Sequence, residues 1–267
     1  MVEFCSRSAL IAFGFLPEVA VASLLVAGIS YCQEEYPPAI EDNSFYIEEA
    51  YNQDLRVVQH IFTTEVFPSK DEGVNMTFTQ EWPVGGLNHQ LSYTFVYPTA
   101  ESGPAFLFAN YRYQLFNKYY WACVSPRLSL FLPLRSPGAS IDRIGAQVNI
   151  PASKRLGEFF VAHFNLGATF DRTFCGTENE DATTTTWDIG GSLIWLQSGN
   201  FNLMLEALEL VTPSEPDLNR FLLSPGARFA INLDRTQIVP GIGFPAEFTR
   251  QGTTTGFFLY LSVEHPY

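Results

Sequence analysis

Between Leu222 and Tyr267, apolar side chains recur at every second position through three runs separated by two turns. Leu223, Pro225, Ala227, Phe229, Ile231 and Leu233 alternate with Ser224, Gly226, Arg228, Ala230 and Asn232. After Asp234-Arg235 the pattern restarts with Ile238, Pro240, Ile242, Phe244, Ala246 and Phe248 against Gln237, Gly241, Gly243 and Glu247. After Gln251-Gly252 it continues with Phe257, Leu259, Leu261 and Val263. A period of two is that of a β-strand with one apolar and one polar face. Each run alternates for about ten residues, the length that crosses a bilayer at the usual tilt, whereas soluble strands are commonly nearer five or six. Arg228 and Glu247 stand mid-run between large apolar groups. Grease on one side and charge on the other fits a barrel wall, with lipid outside and water or a polar network inside.

Upstream, the same pattern recurs. Val58, Phe62 and Val66 oppose Gln59, Thr63 and Glu65; Met76, Phe78 and Trp82 oppose Thr77, Thr79 and Glu81; Leu91, Tyr93, Phe95 and Tyr97 oppose Gln90, Ser92 and Thr94. Runs follow at 107–115, 124–132, 144–150, 160–170, 187–195 and 201–207, for a total of about twelve strands, the even number that bacterial barrels require. Turns at Gly85-Gly86, Asn117-Lys118, Ser198-Gly199-Asn200 and Asp234-Arg235 are short, and the loops near 68, 98, 133, 171, 213 and 249 are longer. That alternation is expected of an antiparallel transmembrane β-barrel with periplasmic turns and outside loops; only the turn at 151–157 is longer than the pattern asks. The longest polar loop is Asp171 to Ala182.

The formal net charge of −13 argues against a nucleic-acid partner, which needs a basic face. The 24 Phe and 12 Tyr suit aromatic girdles at membrane interfaces. Residues 1–30 read as a signal peptide: Arg7, apolar runs on either side of Pro17-Glu18, and small residues at Gly28 and Ser30. Residues 31–55 read as a periplasmic lead-in, either a flexible tether or a small plug in the barrel mouth, and 56–267 as the barrel. Cys32, Cys123 and Cys175 follow the leader with no paired short spacing, so they read as isolated thiols rather than a metal site or disulfide scaffold.

The polar faces place Glu81, Asn110, Arg112, Gln114, Arg127, Arg143, Gln147, His163, Asn165, Asp188, Glu206, Arg228 and Glu247 on the lumen side. Charges in a low-dielectric wall need partners or water, and both signs are present. Two readings stay open: a salt-bridged network filling a small lumen, or charges lining a solute path. A lipid-modifying enzyme would need an outward Ser-His pair near the rim. Here His163 falls on the inner face and the outward His60 has no serine beside it in register. No Gly-x-Ser-x-Gly, phosphate-loop or His-Glu-x-x-His motif occurs, and no catalytic residue, metal or cofactor is assigned.

The chain ends on Tyr267 with Val263, Leu261 and Leu259 on its face. This resembles the terminal-strand signal by which outer-membrane barrels engage the barrel assembly machinery, with His265 and Pro266 departing from it. The lead-in Phe45 to His60, the Ser125-Pro126-Arg127-Leu128-Ser129 strand and the hairpin from Ser224-Pro225-Gly226-Ala227-Arg228 to Phe244-Pro245 resemble bacterial outer-membrane proteins assigned as transporters of the meta-pathway of phenol degradation. The resemblance implies an outer-membrane channel or transporter-like barrel and no particular substrate. The reading as a whole is a monomeric barrel in the outer membrane of a diderm bacterium, with membrane lipid and a small solute, hydrophobic or aromatic in character, as its partners.

Overall fold

The computed structural model describes residues 40–41, 44–68, 73–99, 105–134, 143–173 and 182–267. The expected leader at 1–30, Cys32 and Cys175 lie outside them. The described chain is nearly all strand, and among the described residues no helix is long and apolar enough to cross a membrane.

Twelve antiparallel strands close on themselves, as the sequence pattern predicts. They are β1 (Val57–Val66), β2 (Val74–Pro83), β3 (His89–Pro98), β4 (Ala105–Tyr113), β5 (Arg127–Leu134), β6 (Arg143–Leu156), β7 (Phe160–Thr173), β8 (Ala182–Ser198), β9 (Phe201–Val211) and β10 (Arg220–Phe229). The eleventh, β11, runs through Gln237–Gly243 and resumes at Ala246–Thr249; β12 runs through Gly252–Thr255 and resumes at Phe257–Pro266. Each strand pairs with the next, and the ring shuts where β12 pairs β1 from Val57↔Pro266 to Val66↔Phe257. Closure leaves no free strand edge, the condition for a sheet in lipid, where unpaired backbone groups cost several kcal/mol each. The interruptions in β11 and β12 face each other: the Gly256 N–H donates to the Pro245 carbonyl, and the Phe244 N–H to that of Pro225.

Exposure alternates along the strands. On β8, Trp187, Ile189, Leu193 and Trp195 are exposed, while Gly190, Ser192, Ile194 and Leu196 are buried. The outward residues of β5, Leu128, Leu130 and Leu132, are about half exposed, and Ser129 and Phe131 between them are buried. A soluble protein does not leave a continuous apolar belt to water. This is a lipid-facing transmembrane surface, with its polar residues turned in.

The structure departs from the sequence expectation in three connections. β6 runs straight through Pro151, so the turn at 151–157 shrinks to the residues around Gly157, whose φ of 70° is one that glycine adopts without strain. Proline is tolerated there because β5 no longer pairs at that level: the Pro151 carbonyl accepts from Ser125 N, and the missing N–H points the same way, off the β7 ladder. The run expected at 124–132 is split. Cys123–Val124 pairs with Ser153 and Ala152 on the extended β6, and β5 begins only at Arg127. The tip at Asn117-Lys118 therefore belongs to a longer excursion, exposing Tyr119, Tyr120 and Trp121, rather than to a two-residue hairpin. Third, β7 continues through Asp171, Arg172 and Thr173 and β8 starts at Ala182, because the β-branched Thr183 to Thr186 extends the ladder.

Candidate functional site

Ahead of β1, the described residues 40–41 and 44–53 fold back across the buried face of the wall. They touch strands all round the ring, which only a segment inside it can do. Each contact is a local match between a backbone or side-chain group of the segment and one inward residue of the wall.

At one level, the Glu206 carboxylate on β9 accepts three consecutive backbone N–H groups, from Phe45 at 3.0 Å, Tyr46 at 2.9 Å and Ile47 at 3.1 Å. Three aligned donors on one anion form a nest that stabilises the charge. The Phe45 ring stacks on Phe258 at 5.1 Å between centroids and lies beside Tyr260 at 5.6 Å. Its other side presses on wall glycines: β-carbons at Gly226, Gly241 and Gly243 would stand 2.5, 2.9 and 2.9 Å from ring atoms. Ile47 likewise fills the space above Gly190. The Tyr46 hydroxyl donates to Glu65 at 2.5 Å; burial, then the Glu65 charge, push its ionisation well above the usual phenol range.

The densest polar contact is at Glu48. One carboxylate oxygen lies 2.7 Å from Arg112 Nη2, and the other lies 2.8 Å from both Arg127 Nε and Asn149 Nδ2. Asn165 grips the same residue's backbone from both ends of its amide, accepting Glu48 N–H at 2.8 Å and donating to the Glu48 carbonyl at 2.6 Å. Burial alone would raise the Glu48 carboxyl, but Arg127 and Arg112 outweigh it and hold it below the ordinary carboxylate range. Arg112 also donates to the Tyr51 carbonyl at 2.7 Å and lies 3.4 Å from Glu49.

Further along, the Ser153 hydroxyl accepts Ala50 N–H at 2.7 Å and sits 2.7 Å from His163 Nδ1, whose Nε2 faces the Glu41 carbonyl at 3.1 Å. One assignment satisfies all three contacts: His163 protonated on Nε2 and accepting from Ser153 on Nδ1. Ser125 Oγ donates to the Ala50 carbonyl at 2.6 Å, and Gln114 to the same oxygen at 3.4 Å. Gln90 accepts Gln53 N–H at 2.7 Å, Gln53 donates to Gln59 at 2.5 Å, and the Glu41 carboxylate pairs with Arg155.

The remaining sequence candidates sit in the wall around this segment. Glu81 is buried and accepts from Gln90 at 2.8 Å; Arg127 donates to Asn110 at 3.3 Å and to Gln147 at 2.9 Å. Arg228 is buried, its Nε 3.4 Å from Asn202 Oδ1, and Glu247 is buried 3.5 Å from Arg220. Asp188 is half-buried against Gly167, and Arg143 opens β6. Among the described residues, no group of three or more His, Cys, Asp or Glu side chains is placed to hold a metal ion.

A KdgM porin superposes with a TM-score of 0.55 at 8% identity, over 78% of this chain and 99% of that one. A KdgM porin in complex with disordered oligogalacturonate gives 0.55 at 10%, over 78% and 99%, and a NanC porin 0.55 at 8%, over 79% and 100%. The fold is the closed antiparallel barrel that these porins share. No family model matches the sequence, and no curated protein does.

Within this porin fold, several partners of the inner segment carry no sequence signal of their own. Ser125, Ser192, which meets the Ser44 hydroxyl at 2.7 Å, and Asn202, which donates to the Ile40 carbonyl at 2.8 Å, are ordinary polar members of alternating runs, and Ser153 falls in the expected turn at 151–157. The inward glycines Gly190, Gly226, Gly241 and Gly243 are the signal that could have marked the segment's path, since a strand glycine is a place where something can come near the backbone.

Proposed function

We propose that the chain is an outer-membrane channel for a small solute, its path lined by the inward residues from Glu81 to Glu247 and closed by residues 40–53 acting as a plug. One observation carries this reading: among the described residues, no backbone-to-backbone hydrogen bond joins the segment to the wall. The segment is held through side chains, so withdrawing it leaves every rung of the barrel ladder intact. The porin fold supports the channel, and a similar structure holds a saccharide solute, oligogalacturonate. The likeness to the phenol-pathway family adds an aromatic solute as the finer reading. The seat of Phe45, formed by glycines, Phe258 and Tyr260, is a surface that accepts a flat ring. In the same reading residues 1–30 direct export, the short turns face the periplasm, the last strand engages the assembly machinery, and the barrel works as a monomer.

Deleting residues 33–53 tests the plug: conductance in planar bilayers rises severalfold if it closes the path, and unchanged conductance counts against it. A second reading, a permanently filled structural barrel, is favoured by the buried ion pairs at Glu48; it predicts silence both with and without the segment. The Ser153–His163 pair is read as a pin rather than a nucleophile and base. Ser153 already accepts the Ala50 amide, and His163 Nε2 faces a carbonyl rather than a carboxylate.

A further inference from the structure

We infer that Arg112 and Arg127 form a binding site for the carboxylate of a small organic anion, and that Glu48 occupies it as an internal stand-in. The inference deepens the channel reading by naming the class of solute, and it rests on that reading for the route by which the anion arrives. The Glu48 carboxylate meets what a free carboxylate would need: one guanidinium on each oxygen, at 2.7 and 2.8 Å, and an amide donor from Asn149 at 2.8 Å. Guanidinium groups present planar, fixed donors suited to a carboxylate rather than to a neutral solute.

All three groups project from wall strands, and two of them are held there independently of the segment, whereas the hydrogen bonds of Arg112 run to Glu48, Glu49 and the Tyr51 carbonyl. Arg127 is oriented by Asn110 and Gln147, both wall residues, and Asn149 projects from mid-β6. When the segment withdraws, these groups stay posed. Arg112 then loses Glu48, Glu49 and the Tyr51 carbonyl together and turns its guanidinium to the opened path beside Arg127. An incoming carboxylate restores the lost pairing with the same geometry. Withdrawal of the plug and arrival of the anion are one exchange, in which a soluble carboxylate competes with a tethered one.

The test is isothermal titration of the full-length protein in detergent with propionate and with its neutral analogue propionamide. Glu48→Gln is expected to bind propionate at least tenfold more tightly than the wild type and to ignore propionamide, and Glu48→Gln combined with Arg127→Gln to lose binding. Equal affinity in wild type and Glu48→Gln, or binding that survives Arg127→Gln, overturns the inference. If Glu48→Gln lacks folded migration on unheated gels, the wild type supplies the readout. There, propionate but not propionamide is expected to speed hydrogen exchange at the Glu48 and Ala50 amides at least threefold, and identical exchange overturns the inference. Neither measurement uses conductance. Binding in a silent barrel sinks the channel reading and spares the site, and conductance without binding does the reverse.

Discussion

The Phe45 ring lies 2.9 Å from the point where a β-carbon on Gly243 would stand, closer than real β-carbons come to another atom. The remaining neighbour at that point is the Ser224 hydroxyl at 3.2 Å, a side chain rather than backbone. Gly243→Ala should therefore act through Phe45, forcing the ring off Phe258 and costing about 1–3 kcal/mol as an overpacked site. Phe45→Ala in the same chain should recover most of that loss, giving a coupling of about 0.5–3 kcal/mol in a double-mutant cycle of urea unfolding in lipid. Additive effects would mean that the ring does not fill this seat.

Glu206 should matter for the segment and little for the barrel. Glu206→Ala strips the acceptor from three N–H groups, that of Ile47 buried and those of Phe45 and Tyr46 partly so, and a buried one left unsatisfied costs roughly 1–3 kcal/mol. Hydrogen exchange at Phe45, Tyr46 and Ile47 should accelerate at least tenfold while the folded band on unheated gels persists. Protection that survives the substitution would remove Glu206 from its assigned part.

The Glu48 clamp gives a pH dependence of definite sign. Its carboxyl lies below the ordinary value of about 4.3 because Arg127 and Arg112 overcome burial. A group with a lowered folded pKa contributes fully above the unfolded value and loses that contribution as pH falls through the folded one. Protonating Glu48 leaves Arg127 and Arg112 facing a neutral acid. Conductance is expected to stay low at neutral pH and to rise only below about pH 4. Opening midway between pH 6 and 7 would assign the gate to a different group.

The lipid face yields a simpler expectation. Leu130 sits in the middle of β5, outward and more than half exposed. Leu130→Arg should cost about 2–4 kcal/mol if hydrocarbon covers it, measured by equilibrium unfolding in bilayers. A change within experimental scatter would mean that water reaches that face.

The wall was legible in the sequence because its period is imposed twice, by lipid outside and polar contacts inside. Both constraints act residue by residue along Leu128–Ser129–Leu130 or Trp187–Asp188–Ile189. Local punctuation was less reliable. Pro151 reads as a strand breaker yet sits in β6, since its missing donor points away from β7, to the side where the pairing with β5 has already ended at Asn149. Asn117-Lys118 reads as a tight hairpin, but the return run pairs with β6, a partner distant in sequence that local pattern cannot name. The path of residues 40–53 was invisible for the same reason. Its partners Glu206, Asn165 and Ser153 lie more than one hundred positions downstream, and nothing in Phe45-Tyr46-Ile47-Glu48 marks them.

Arg56 joins the inner segment to β1 with a φ of 62°, and its carbonyl accepts the N–H of Tyr267, the final residue. The seam of the ring is thus fastened at the very bend where the occupant turns inward. Pairing of the first strand with the last therefore also sets the root of the tethered occupant at the mouth of the cylinder, so the seam and its guest share one anchor.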